Sequence, residues 1–120
     1  MSEIKTYRDL IVWQKAKLVA LHVYKLTNTF PDSEKFGLTS QIRRASISIV
    51  ANIAEGKGRS TKRDYANFLH IALGSCHELE SELDISKDLK FAPSVQYEII
   101  EKELNDIQKM LTILILKLKS

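Results

Sequence analysis

Apolar side chains recur at every third or fourth position through most of the chain, which is the period of a helix buried along one face. Near the N-terminus they form one continuous stripe of Val12, Ala16, Val19, Val23, Leu26 and Phe30. Thr6 or Asp9 can cap the start of this helix, and Pro31 stops it because proline cannot continue a helix interior. The pattern therefore predicts a first helix over residues 9–29.

A second helix is predicted over residues 38–57, where small residues are interspersed with isoleucines. Its inward positions are Ile42, Ala45, Ile49 and Ile53. Ile47 and Val50 lie on a neighbouring strip that is too apolar for open solvent, so we expect them at a contact with another subunit. Gly56 and Gly58 end the helix, since glycine accepts the left-handed conformation that closes a last turn.

The third helix is predicted over residues 61–89, after a possible cap at Ser60 or Thr61. Its inward positions are Tyr65, Leu69, Ala72, Cys76, Leu79 and Leu83. Its outer face carries most of the acid of the chain, at Glu78, Glu80, Glu82, Asp84 and Asp88. Gly74, together with the small residues beside it, predicts a shallow place where another helix can approach closely.

The fourth helix is predicted over residues 93–117, because Pro93 suits a first helical turn, where its missing N–H is not needed. Its second half is apolar in nearly every direction around the axis. A helix that is apolar all round is buried all round, and a terminal helix cannot be covered on every side by its own short chain. We therefore expect self-association. The predicted subunit contacts on this helix are Leu111, Leu114, Ile115 and Leu118.

Four helices with short connections predict an all-α fold, an up-down-up-down antiparallel four-helix bundle that forms a single domain over residues 1–120. The composition, 44% hydrophobic and 28% charged, is that of a globular chain. Identical subunits most often close into a symmetric dimer or ring. The expected assembly is therefore a homo-oligomer whose interfaces use the extra apolar strips.

Cysteine content and the N-terminal segment indicate a cytoplasmic protein without membrane contact. Cys76 is the single cysteine, so the chain has no internal disulfide and a reducing compartment is expected. The first ten residues lack the charged-then-apolar pattern of a signal peptide, and the longest apolar runs are too short to span a bilayer.

Positive charge is concentrated in the middle of the chain, although the net charge is only +3. Residues 36–70 hold six basic and two acidic side chains, whereas residues 71–120 hold six basic and nine acidic ones. The candidate nucleic-acid-binding residues are Arg43, Arg44, Lys57, Arg59, Lys62 and Arg63. Such residues contact phosphates without reading bases, but the same pattern is equally typical of a solvated helix surface. Tyr65 and Phe68 are assigned to the core, so no aromatic platform for single-strand stacking is predicted.

Catalytic and metal-binding patterns are not found, so we expect no enzymatic activity, no metal and no cofactor. The three histidines lack the Glu-x-x-His spacing of bundle metal sites, and the glycines of the turn lack the ending of a phosphate-binding loop. Cys76 lies on an apolar face near acids, where a thiolate is disfavoured. Asn52 is expected to satisfy polar groups at a helix crossing, and Glu55 to pair with Arg59 or Arg43.

Three segments together resemble a known family. They are YRDLIVWQKA at residues 7–16, FGLTSQIRRASISIVANIAEGKGR at residues 36–59 and DYANFLHIALGSCHELESELDISKDL at residues 64–89. The chain resembles the four-helix bundle family named after proteins encoded in 23S rRNA intervening sequences. The resemblance covers nearly the whole chain and is most specific in NIAEGKGR and LTSQIRRA.

That resemblance implies a bacterial cytoplasmic protein that assembles into a homopentameric ring. The family is similar to accessory proteins of diversity-generating retroelements, whose basic pentamers associate with nucleic acid and a reverse transcriptase. The leading hypothesis is a non-enzymatic oligomer that binds RNA or DNA through a basic surface repeated by symmetry. The alternative is a structural scaffold that holds a protein partner, such as a reverse transcriptase, without contacting nucleic acid.

Overall fold

Four α-helices make up most of the computed structural model, which describes residues 3–120. They are α1 (Ile11–Thr27), α2 (Leu38–Lys57), α3 (Lys62–Asp88) and α4 (Ser94–Lys119). Short 3-10 helices, Tyr7–Asp9 and Asp32–Glu34, precede α1 and α2. The described part of the chain contains no β-strand. The prediction of an all-α chain with four helices is therefore confirmed.

The start of α1 lies two residues beyond the predicted position because a capped 3-10 turn precedes it. The Thr6 hydroxyl accepts from the Arg8 N–H at 3.2 Å, and the Asp9 carboxylate accepts from the Thr6 N–H at 3.0 Å. These two bonds form a capping box on the 3-10 turn. Leu10 then has extended backbone angles, so the α-helix begins at Ile11.

The glycines at the end of α2 have a different role from the predicted one. Gly58 has a φ of −81°, and no glycine of the described chain has a positive φ, so the predicted left-handed cap is wrong. Gly56 lies against α3, where an added Cβ would meet Phe68 Cβ and Tyr65 Cδ1 at 3.0 Å. The turn therefore uses glycine at position 56 for a close helix contact.

Gly74 does not support the predicted close approach of another helix within this chain. An added Cβ at Gly74 would meet nothing within 4 Å, and the residue is exposed. The small side chain that does serve an interhelical contact is Ser75, whose hydroxyl lies 2.8 Å from that of Ser48 on α2. The predicted shallow surface at Gly74 is open to solvent.

Each helix packs against two others, and α2 and α3 share the most extensive interface. α1 contacts α2 and α4, while α3 also contacts α2 and α4. Fully buried side chains from all four helices fill the centre, among them Leu26, Ile49, Leu79 and Tyr97. The Tyr97 hydroxyl accepts from the Ser86 hydroxyl at 2.9 Å, which satisfies both groups inside the core.

Side-chain contacts join consecutive helices near their connections. Near the junction of α1 and α2, Arg43 bonds Thr27, and near the junction of α3 and α4, Lys87 bonds Glu101. Thr29, just beyond α1, donates to the Phe91 carbonyl, just before α4, at 3.3 Å. The end of each helix therefore lies beside the beginning of the next, and the end of α1 lies beside the beginning of α4.

Burial divides α4 into a core face and an exposed face, so its own chain does not bury it all round. Leu111 and Ile115 are 0% and 4% exposed and belong to the core, so their prediction as subunit contacts is wrong. The other helices of the same chain already cover them. Leu114 and Leu118 are half-buried, and Ile113 and Leu116 are more than half exposed.

On α2, the predicted contact residue Ile47 is 47% exposed, whereas Val50 is half-buried against the core. In residues 3–120, no helix is both long enough and apolar enough to cross a membrane.

Candidate nucleic-acid interface

The six predicted basic residues fall into two groups at opposite ends of α2. Arg43 and Arg44 lie in its second turn and are called the N-terminal basic group. Lys57, Arg59, Lys62 and Arg63 surround the connection to α3 and are called the turn basic group. A helix rises 1.5 Å per residue, so Arg43 and Lys57 are separated by roughly 20 Å along the axis. The structure does not bring the six residues into one cluster.

Arg43 is fixed by contacts with α1. Its Nε donates to Thr27 Oγ1 at 2.8 Å, and its Nη2 donates to Asn28 Oδ1 at 3.2 Å. The guanidinium lies 4.5 Å above the ring of Tyr24, a cation–π contact. All these partners are neutral. Arg43 therefore joins two helices while keeping an uncompensated positive charge near the surface.

Aromatic side chains adjoin the N-terminal basic group, contrary to the prediction that no platform exists. Phe36 is 91% exposed, and the Lys35 ammonium lies 5.6 Å from the centre of its ring. Tyr24 on α1 is 41% exposed. Both rings lie far along the chain from the α2–α3 turn, and only the fold brings them beside the N-terminal basic group.

The turn basic group contains one neutralised arginine. Arg59 Nη2 donates to Glu55 Oε2 at 3.0 Å, which confirms the predicted pairing. The Arg59 guanidinium also lies 4.4 Å above the ring of Phe68, and the Lys57 ammonium lies 6.0 Å from the centre of the Tyr65 ring. Tyr65 and Phe68 are half-buried, so they pack on the core and also contact cations.

Lys62 and Arg63 are exposed cations of the turn that have no acidic partner among the described residues. Both are exposed in the first turn of α3, and neither makes a hydrogen bond or ion pair with another side chain of residues 3–120. Thr61 caps this helix by accepting from the Asp64 N–H at 3.1 Å. The cap holds the two basic residues at the rim of the turn, where a phosphate can reach them.

Arg8 is a further basic residue near the turn that the sequence analysis did not include. Tyr7 and Arg59 line the same open cavity of about 600 Å³, and the Arg8 guanidinium lies 4.6 Å above the Tyr7 ring. The 3-10 turn before α1 therefore adds a cation beside the turn basic group. No pattern in the sequence links residue 8 to residue 59, because only packing brings them together.

Asn52 belongs to a polar network between α2 and α3. Its Nδ2 donates to the Ser48 carbonyl at 2.8 Å and to the Ser48 hydroxyl at 3.0 Å. Ser48 in turn bonds Ser75 across the interface. These contacts confirm the structural role predicted for Asn52 at a helix crossing.

Glu82 differs from the predicted solvated acid because it is 8% exposed, and its Oε1 has no hydrogen-bond partner among the described residues. Burial is the main reason that the pKa of Glu82 rises to about 7, and the negative charge of Glu78 adds to the effect. The assignment of Glu82 to the outer face of the third helix is wrong. Its carboxyl group changes charge near neutral pH.

Other titratable groups offer no reactive arrangement. Cys76 is fully buried, and burial together with the charge of Glu80 raises its thiol pKa to about 12, as expected for an inert thiol. Residues 3–120 contain no group of three or more metal-ligating side chains placed to hold an ion. His22 Nδ1 lies 2.7 Å from Glu103 Oε1 in a contact between α1 and α4.

The fold and the surface together define an all-α protein with exposed basic groups, and comparison with known proteins assigns the family. The chain belongs to the family of 23S rRNA-intervening sequence proteins, whose family model matches residues 8–113. The resemblance expected from the sequence motifs is therefore confirmed. The match begins at Arg8 and ends at Ile113, so it includes α1, α2, α3 and most of α4.

A solved structure has the same fold. It is a protein of unknown function from the S23 ribosomal protein family of Bacteroides thetaiotaomicron VPI-5482, which is 29% identical to this chain. The similarity covers 88% of this chain and 98% of that one, with a TM-score of 0.78. A comparison with curated proteins finds no match. Neither similarity indicates an enzymatic family.

Proposed function

We propose that this chain is a non-enzymatic, oligomeric helical-bundle protein that binds RNA, or another nucleic acid, through basic surfaces repeated by symmetry. The observation that carries the proposal is the turn between α2 and α3, where Lys62 and Arg63 are exposed and unpaired. Cations of this kind bind phosphates independently of base sequence. The resemblance also favours a role in the bacterial cytoplasm.

An up-down-up-down antiparallel arrangement strengthens this proposal because it places more cations at the same end of the bundle. Its support is that contacts near the connections, such as Lys87 with Glu101, place the end of one helix beside the beginning of the next. In that arrangement α4 ends beside the beginning of α3. Lys117 and Lys119 then extend the basic surface formed by Lys62 and Arg63.

Self-association is the second part of the proposal, and the resemblance favours a ring of five subunits. Its physical support is apolar surface that the chain leaves exposed on several helices. The exposed apolar side chains include Leu18 and Leu21 on α1, Ile47 on α2, and Ile113 and Leu116 on α4. Burying such surface between copies removes it from water, and a ring multiplies each basic group by the number of subunits. Analytical ultracentrifugation at micromolar concentration tests this part, and a stable monomer would contradict it.

Nucleic-acid binding is tested by measuring RNA affinity against salt concentration for the wild type and for Lys62→Glu with Arg63→Glu. We expect the double variant to bind much more weakly. The slope of log affinity against log salt concentration, called the salt slope, should decrease in magnitude by roughly 1.4 to 1.8 for two lost phosphate contacts. Lys102→Glu with Lys109→Glu is the matched control, because both lysines are exposed on α4. No binding by the wild type at low salt, or equal losses in the two variants, would overturn the proposal.

A protein scaffold is the competing function, and the exposed stripe on α1 favours it. Leu18 and Leu21 are 45% and 55% exposed, and apolar residues of this size commonly mark a protein contact. A reverse transcriptase is the partner that the resemblance implies. A partner retained on the protein after nuclease treatment, and lost in Leu18→Glu with Leu21→Glu, would favour the scaffold.

A further inference from the structure

A groove beside the beginning of α2 combines exposed aromatic rings with three cations. The groove has a volume of about 580 Å³. The side chains that matter for its chemistry are Tyr24, Lys35, Phe36, Arg43 and Arg44. None of the described residues that line it is acidic. Its surface therefore offers apolar area and positive charge together.

We propose that this groove binds an unpaired nucleotide segment, with a base stacked on Phe36 and the flanking phosphates on Lys35, Arg43 and Arg44. The inference rests on the proposed function and specifies the form of nucleic acid that the chain prefers. Phe36 is 91% exposed, so its own chain leaves the ring face available. Stacking on aromatic side chains is sequence-tolerant and requires a base that is not paired in a duplex.

Charge complementarity supports a nucleic-acid occupant. Arg43 is held in place by Thr27 and Asn28, whose side chains occupy its Nε and Nη2. Its Nη1 makes no hydrogen bond within residues 3–120, and all its polar partners are neutral. A guanidinium with a fixed plane and a free donor is suited to bind a phosphate oxygen. Arg44 and Lys35 are exposed and line the same groove.

Glu34, the acid next to Lys35 in the chain, already accepts from a backbone N–H. Its Oε1 accepts from the Leu38 N–H at 3.1 Å, at the first turn of α2. Glu78 of α3 lines a neighbouring cavity with Arg44, whereas Arg43 and Lys35 do not line that cavity. At the other end of α2, by contrast, Glu55 neutralises Arg59 and lines the cavity there. The groove at Phe36 is therefore the one of the two that combines an open ring with uncompensated charge.

The test compares an unstructured RNA oligonucleotide that carries 2-aminopurine with an RNA duplex of equal charge. For Phe36→Ala we expect about ten-fold weaker binding of the single strand, which is the loss of one base stack, and unchanged binding of the duplex. The 2-aminopurine fluorescence should be quenched by the wild type and not by the variant. Phe36→Tyr keeps the ring and should retain both properties.

Two controls separate stacking from general electrostatics and from folding. Val95→Ala removes an exposed apolar side chain on α4, away from the groove, and should leave both affinities unchanged. Lys35→Ser with Arg44→Ser should lower the single-strand salt slope by about 1.4, for two lost contacts. Circular dichroism verifies that each variant keeps its helices.

The outcomes also separate this inference from the broader proposed function. Equal losses for duplex and single strand, or no effect of Phe36→Ala, would overturn the stacking site while leaving general RNA binding in place. A changed oligomer mass in Phe36→Ala would assign the ring to a subunit contact and also overturn the site. Failure of the wild type to bind either RNA would contradict both proposals.

Discussion

The two ends of α2 have similar arginine–aromatic contacts but differ in how the charge of the arginine is compensated. Each end places an arginine over an aromatic ring, Arg43 over Tyr24 at 4.5 Å and Arg59 over Phe68 at 4.4 Å. The hydrogen-bond partners of Arg43 are neutral, whereas Arg59 is paired with the carboxylate of Glu55. A positive charge is therefore retained inside a groove at one end and cancelled at the other.

This comparison shows that a count of basic residues overestimates the surface available to a ligand. At the turn, Lys62 and Arg63 are exposed in the first turn of α3 and have no acidic partner within residues 3–120. Lys57 also lacks an acidic partner in that range, but it is half-buried beside the Tyr65 ring. At the beginning of α2, Arg43 combines a structural role with an open charge. A variant at Arg43 therefore changes stability, and a variant at Lys62 should not.

The largest expected effect lies at the turn, where Gly56 touches α3. We expect Gly56→Ala to lower the free energy of unfolding by about 2 kcal/mol, since the new methyl group would overpack Phe68 and the Tyr65 backbone. Gly74→Ala is the matched control on α3. It meets nothing within 4 Å and should raise stability by roughly 0.5 to 1 kcal/mol through helix propensity. Urea denaturation measures both, and a stabilised Gly56→Ala would contradict the close contact.

The next effect distinguishes the two basic groups. Arg43→Ala should lower the free energy of unfolding by about 1 to 2 kcal/mol, because Thr27 and Asn28 lose their partner and the packing over Tyr24 is lost. Lys62→Ala should change stability by less than about 0.5 kcal/mol, as is usual for an exposed side chain without contacts. Urea denaturation of both variants tests the difference. Similar losses of unfolding free energy in the two variants would contradict the structural role of Arg43.

A smaller effect on the free energy of unfolding is expected at Glu82. Its neighbour Glu78 lines a cavity with Arg44. The carboxyl pKa of Glu82 is raised from 4.5 to about 7 in the folded chain, so the folded state binds the proton more tightly than the unfolded state. Stability from this group is therefore present below pH 4.5 and decreases as the pH rises through 7.

Glu82→Gln removes that titration. As the pH rises from 5 to 8, we expect the free energy of unfolding of the variant to increase by on the order of 1 kcal/mol relative to that of the wild type. Urea denaturation at each pH measures this difference. Glu98→Gln, at an exposed position on α4, is the control and should show no such trend. A wild type that becomes more stable than Glu82→Gln at pH 8 would contradict the buried, unpaired carboxylate.

The smallest expected effect is at Arg59. Its ion pair with Glu55 spans one helical turn and is exposed, so Arg59→Ala should cost at most about 0.5 kcal/mol. The same substitution should weaken RNA binding less than Lys62→Ala, because the Arg59 charge is already compensated. Affinity measured at low salt for the two variants tests this order.

Local patterns in the sequence predicted the helices because helix formation depends on short-range periodicity and capping. The stripe from Val12 to Leu26 is buried in α1 as expected, and Thr61 caps α3. Asn52 and the pair of Glu55 with Arg59 were also predicted, since their partners lie within one helical turn. In each of these cases the decisive neighbours are only three or four residues apart.

The predictions of exposure were wrong for residues whose neighbours belong to other helices. Leu111 and Ile115 were predicted as subunit contacts because the end of α4 reads as apolar in nearly every direction, but α1 and α3 bury them within one chain. Phe36 went unrecognised as a surface ring, and Glu82 as a buried acid, for the same reason. Exposure is a property of the whole packing arrangement and cannot be read from a single helix.

The sequence by itself determined that this chain forms four helices and that it carries the motifs of its family. Periodicity, caps and breaking residues are local and need no knowledge of the partners. Tertiary structure alone decided which cations stay uncompensated, because Arg43 meets neutral groups of α1 while Arg59 meets Glu55. It also placed Phe36 beside Arg43, since the fold of the connection between α1 and α2 brings the ring and the charges into one groove.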